Sequence, residues 1–102
     1  MIVVLTTVPN AEEGERLARR IVEGKLAACV QMLPAMKSFY VWEGALQEDA
    51  EHLLLIKTGA EKYAALEEFI QTNHSYTVPE IVALAAEKVS ESYLGWLQAS
   101  LK

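Results

Sequence analysis

Three short segments of this chain are apolar at consecutive positions rather than at alternate ones: Ile2-Val3-Val4-Leu5, Leu53-Leu54-Leu55-Ile56 and Ile81-Val82-Ala83-Leu84-Ala85-Ala86. Each is too short for a helix of ordinary length and rich in strand-forming residues. Successive side chains of a strand point to opposite faces. A sheet with one wet face therefore alternates apolar and polar residues. These three strands do not, so the chain is confined to folds in which both faces of a sheet are covered.

The remaining punctuation sets the order of elements. Met1–Val8 reads as a first strand, ended by Pro9. Asn10 is placed to cap a helix, and Glu13 completes a capping-box pattern. Gly14, Leu17, Ala18 and Ile21 recur at helical spacing, and Gly24 fits the stop. Leu26–Glu43 reads as one long second strand, which must bulge or lie at an edge at Pro34. Glu43-Gly44 is a turn that leads back to Leu53–Ile56. Tyr63, Leu66, Phe69 and Ile70 mark a second amphipathic helix. His74, Tyr76 and Pro79 fall in a loop before a fourth strand, Ile81–Ala86. Ser90 or Ser92 can cap a short last helix whose apolar side holds Tyr93, Leu94, Trp96, Leu97 and Leu101. The prediction is an α+β fold: a ferredoxin-like β-α-β-β-α-β antiparallel sheet with a C-terminal helix, as one domain over residues 1–102.

Two crossover helices on one face leave the other face to a single short helix. The hairpin adds to the surplus, since Phe39-Tyr40-Val41-Trp42 is apolar on both faces close to its turn. Composition agrees: 52% of the 102 residues are hydrophobic, above the roughly 45–50% of an average soluble domain. Large exposed apolar patches mark interfaces, and a long hairpin leaves an edge open to pairing. A homo-oligomer is expected, its symmetry open; the alternative is that the terminal helix suffices. The net charge of −5 and the lack of a basic stripe argue against a nucleic-acid partner. No apolar run approaches the roughly 18 residues of a membrane span. The single Cys29 allows no internal disulfide, and the chain starts on an apolar strand without a basic leader. A cytoplasmic protein is the expectation.

The stretch Lys25-Leu26-Ala27-Ala28-Cys29-Val30 through Pro34, followed by Ser38-Phe39-Tyr40-Val41-Trp42-Glu43-Gly44, resembles the divalent-cation-tolerance protein CutA family. So do Lys57-Thr58, His74-x-Tyr76-x-x-Pro79-Glu80-Ile81 and Tyr93-Leu94-x-Trp96-Leu97, in order along nearly the whole chain. The resemblance implies a homotrimer joined through strand edges, similar to the nitrogen-regulatory P-II signalling proteins. It also implies a role in tolerance of divalent metals, chiefly copper. Ser75 stands where the family usually has Pro, and Thr77 where a polar or acidic residue is common. In some members a copper site is assigned to a Cys on the first strand and to His residues before the Tyr. The matching positions here are Thr6, Asn73 and His74, of which only His74 is a strong ligand.

Copper favours imidazole nitrogen and thiolate sulfur, so His74 and Cys29 are the candidate metal ligands, although no His or Cys pair shows ligand spacing. Their alternative readings are a helix-end cap or exposed residue for His74 and a buried small hydrophobe for Cys29. His52, after Glu48-Asp49-x-Glu51, belongs to an acidic stretch that reads as a solvated turn or a loose cation site. Tyr40 and Trp42 are expected as interface anchors. Tyr76, Pro79 and Glu80 are expected at a cleft between subunits. No enzyme is expected: Thr6-Thr7-Val8-Pro9-Asn10 lacks the Arg of a phosphate cradle, Asp49 is the sole Asp, and there is no Gly-rich phosphate loop. Two functions remain. One is a trimer that serves copper and divalent-cation tolerance by binding metal, scaffolding or signalling. The other is a trimer without metal chemistry that binds a small ligand or protein partner in its inter-subunit clefts.

Overall fold

Strand β1 (Ile2–Val8) is paired antiparallel on both sides in the computed structural model, which describes residues 1–102. On one side runs β4 (Ala45–Thr58), with Ile2 opposite Thr58 and Val8 opposite His52; on the other runs β5 (Val82–Ala85). β2 (Cys29–Met32) lies outside β4, giving the order β2-β4-β1-β5. Helix α1 (Ala11–Glu23) connects β1 to β2, and α2 (Tyr63–Asn73) connects β4 to β5. Each crossover skips the strand between its ends, which is the split β-α-β arrangement of a ferredoxin-like sheet. Helix α3 (Glu91–Ser100) follows, capped by Ser90 rather than Ser92.

The expected single strand over Leu26–Glu43 is two. β2 stops at Met32, and β3 (Met36–Trp42) begins after Leu33-Pro34-Ala35. Pro34 has no N–H to give a ladder, so pairing lapses there. Both pieces pair with the same long β4, β2 along Leu54–Lys57 and β3 along Ala45–Glu51. His52, opposite the lapse, donates from Nδ1 to the Leu33 carbonyl at 2.9 Å and bridges the gap. The acidic stretch Glu48–Glu51 is therefore strand and not the solvated turn expected of it.

Asn10 caps α1 as expected, its Oδ1 accepting from Glu13 N–H at 2.8 Å. The Glu13 side chain does not close the box. It accepts instead from Ser75 N–H at 3.1 Å, across the fold. At the other end Gly24 is not the left-handed residue. Its φ is −80°, whereas Lys25 has φ +57°. Lys25 N–H bonds to Val22 O and Leu26 N–H to Ile21 O, both at 3.0 Å, so the helix ends in a Schellman motif with lysine at the left-handed position.

The helix-covered face carries the core: Val4, Val8, Leu54 and Ile56 of the sheet meet Leu17 and Ile21 of α1 and Leu66 and Ile70 of α2, all buried. α1 lies close because Gly14 has no side chain; a Cβ there would stand 2.7 Å from Met32 Sδ and 3.0 Å from Val8 Cγ2. The opposite face is only partly covered. α3 buries Leu97 and sets the Tyr93 ring 5.7 Å from Lys57 Nζ. Val82 and Leu84 of β5 remain about half exposed on that face, at 45% and 52%. The β3–β4 hairpin extends the molecule into an arm, and the whole measures 45 × 25 × 24 Å. No helix is long and apolar enough to cross a membrane.

Candidate functional site

A groove of about 530 Å³ opens where the arm meets the sheet. Pairing in β3–β4 puts Tyr40 opposite Gln47, Trp42 opposite Ala45 and Ser38 opposite Asp49. Residues directly opposite in an antiparallel pair share a face, so Tyr40, Trp42, Asp49 and Glu51 all lie on one side of the arm. They form one wall. Thr7 of β1 lies at the base, and the 74–80 loop supplies Tyr76 and Glu80 opposite. Phe39, Val41 and Leu46 occupy the other side of the arm and are exposed at 63%, 68% and 73%.

His74 holds the loop. Its side chain is fully buried. Nε2 lies 2.7 Å from the Thr7 carbonyl, and Nδ1 lies 3.0 Å from Tyr76 N–H. A carbonyl only accepts and an amide N–H only donates, which assigns the proton to Nε2 and the lone pair to Nδ1. The Glu13 carboxylate stands 3.7 Å from Nδ1, too far for a hydrogen bond, and takes Ser75 N–H instead. The His74 ring also tilts against Tyr76, with centroids 4.8 Å apart. Together these contacts fix Tyr76 so that its hydroxyl donates to Glu51 at 2.8 Å. The Tyr40 hydroxyl donates to Asp49.

Both pairs keep the phenols protonated. Burial, and then the bond to Glu51, push the Tyr76 pKa far above its ordinary 10.0. The bond to Asp49 raises Tyr40 in the same direction.

Tyr40, Trp42, Tyr76 and Glu80 are thus brought together, as residues of one groove. Pro79 precedes Glu80 in the loop without lining the groove. His74 stands beneath it at the C-cap of α2, but its ring binds β1 rather than capping its own helix. Cys29 is half-buried and lies at the other end of the sheet, opposite Lys57. Lys57 faces Val3, whereas the His74 contact is to Thr7. Four residues of strand, about 13 Å, separate the two within one chain. No three His, Cys, Asp or Glu side chains gather closely enough to hold a metal ion. Thr6 is fully buried with its hydroxyl unpartnered, and Asn73 bonds Phe69 O and Arg20. Asp49, Glu51 and Thr7 are groove residues that the sequence reading missed. Reading Glu48–His52 as strand would have put Asp49 and Glu51 on the same face.

A split β-α-β sheet with a protruding two-stranded arm, and a groove of tyrosines and carboxylates at the arm's base, defines the class of protein. The chain belongs to the CutA1 divalent ion tolerance protein family, whose model matches residues 2–100. It is 46% identical over 96 residues to the divalent-cation tolerance protein CutA of Thermus thermophilus, covering 94% of this chain and 93% of that protein. It is 48% identical over 101 residues to the chloroplastic protein CutA of Arabidopsis thaliana, covering 99% of this chain. The chain spans just over half, 56%, of that plant relative's length. The solved structure of the periplasmic divalent cation tolerance protein CutA from Archaeoglobus fulgidus superposes with a TM-score of 0.96 at 37% identity, over the full length of both chains.

Proposed function

We propose that the chain acts in divalent-cation tolerance as a homotrimer, with copper as its chief metal and His74 and Cys29 as the candidate ligands. The observation that carries the assembly is the pair of uncovered apolar surfaces: Phe39, Val41 and Leu46 on the arm, and Val82 and Leu84 on β5. Surfaces of this kind mark interfaces, and the exposed edge of β5 invites strand pairing. The metal half rests on family membership and on the ligand types of His74 and Cys29, imidazole and thiol, which copper favours. Because the two lie far apart in one chain, a site using both draws them from different subunits. We also propose a cytoplasmic setting, supported only by the single cysteine, which allows no internal disulfide; two relatives are named chloroplastic and periplasmic.

A second, non-catalytic reading has its own support. Both ring nitrogens of His74 are engaged within the chain, which favours a scaffold that recognises a ligand or partner without ligating metal. Calorimetric titration with copper separates the two. The metal reading expects one saturable site per subunit, weakened in His74→Ala and in Cys29→Ala. No binding, or unchanged binding in both variants, overturns it in favour of the scaffold.

A further inference from the structure

Two consecutive backbone amides just past α2 are held by side chains rather than by other backbone groups. Ser75 N–H donates to Glu13 Oε2 at 3.1 Å, and Tyr76 N–H donates to His74 Nδ1 at 3.0 Å. Glu13 is 6% exposed, and the His74 side chain is wholly buried. The two acceptor atoms stand 3.7 Å apart, so they meet the amides as a pair. Glu13 is the third residue of α1, where the positive end of the helix dipole favours a carboxylate. It forgoes the reciprocal bond of a capping box and reaches Ser75, 62 residues away in sequence.

The same geometry bears on metal. A ligating histidine commonly gives its other ring N–H to a carbonyl, and the His74 Nε2 bond to the Thr7 carbonyl at 2.7 Å has that form. The nitrogen left for a metal is then Nδ1, and its lone pair is the one that Tyr76 N–H takes. An imidazole nitrogen has a single lone pair, so Nδ1 serves the amide or a metal and not both. Glu13, the carboxylate beside it, is committed to the neighbouring amide. No third His, Cys, Asp or Glu joins the two.

We propose that Glu13 and His74 are a clamp on the Ser75 and Tyr76 amides, and that His74 is a positioning residue and not a metal ligand in this chain. The clamp ties the start of α1 and the end of β1 to the 74–80 loop. Through the Tyr76 hydroxyl on Glu51 it reaches the arm as well. It departs from the metal reading at this one residue, and copper held elsewhere in the molecule leaves it intact.

Amide hydrogen exchange followed by NMR on the intact protein tests the clamp. After correction for intrinsic rates, Ser75 and Tyr76 are expected to exchange about tenfold or more slowly than Val78, which is 70% exposed. His74→Ala is expected to remove the protection of Tyr76. His74→Asn, whose side-chain oxygen can take the place of Nδ1, is expected to restore most of it without an imidazole. Glu13→Ala removes the protection of Ser75, and Glu13→Gln keeps it. Copper chloride supplies the second arm. Paramagnetic copper broadens the signals of nuclei beside it, so the His74 ring signals and the Tyr76 amide are expected to stay sharp at one equivalent. Tyr76 exchanging as fast as Val78 in the metal-free protein overturns the clamp. Loss of the His74 ring signals at stoichiometric copper overturns the exclusion of His74 as a ligand. Both wild-type measurements stand without the variants if His74→Ala does not fold. Calorimetric copper binding with unchanged His74 signals keeps the metal reading and moves its site off this ring, so the two failures are distinguishable.

Discussion

Thr6 is wholly buried on the helix-covered face, yet its hydroxyl has no partner. A buried hydroxyl without a hydrogen bond loses its water for nothing. Thr6→Val, of the same shape, is expected to stabilise the fold by about 1 kcal/mol, read as a rise of roughly 4–8 °C in Tm. A fall in Tm would mean that the hydroxyl is satisfied in solution. Backbone strain gives a second residue-scale prediction. Glu43 and Lys25 hold φ of +51° and +57°, in the region that favours glycine and asparagine. Glu43→Asn is expected to stabilise the hairpin turn by about 0.5–1 kcal/mol, since asparagine tolerates that region better, in denaturant unfolding. Tyr76 gives the third. Its folded pKa is raised above the unfolded value of 10.0, so the fold favours the protonated phenol. The stabilisation is whole below pH 10 and declines above it, as the unfolded chain ionises first. In an alkaline absorbance titration, Tyr76 should ionise later than an ordinary tyrosine. Glu51→Gln should bring that step partway down, because burial remains. An unmoved step would remove Glu51 from the account.

At the scale of elements, β4 is the spine. Its 14 residues serve three partner strands, and His52 closes the lapse between two of them. His52→Ala should cost about 1 kcal/mol, the net worth of one hydrogen bond, measured by denaturant unfolding. An unchanged midpoint would show that water replaces the ring. Local signals made much of this level legible. Asn10 capped its helix because a cap is decided within three residues, and the strand order followed from the alternation of helix and strand patterns. The failures have physical causes. Glu48-Asp49-Ala50-Glu51 resembles a solvated turn only if charge implies water; on an arm with a groove on one side, charged residues belong in a strand. Gly24 pointed to the helix end but not to the residue that turns left-handed. The site was half legible. Tyr40, Trp42, Tyr76 and Glu80 stood out as aromatic or family residues, but their common groove did not. It depends on the His74 contact to Thr7, which spans 67 residues of sequence.

At the scale of the molecule, the consecutive apolar strands call for two covered faces, and the single chain covers one and part of another. The radius of gyration is 14.2 Å, longer than the roughly 13 Å of a compact chain of about this length; the arm accounts for the difference. An arm whose outer side carries Phe39, Val41 and Leu46 has no partner within its own chain. If that surface joins subunits as proposed, Val41→Asp, which places a charge in it, is expected to shift the protein toward monomer while leaving the helix-covered core intact. If the uncovered apolar surfaces are subunit interfaces, light scattering on the purified chain at micromolar concentration should report a mass near three times 11.3 kDa. A particle of 11.3 kDa would show that those surfaces stay open to water.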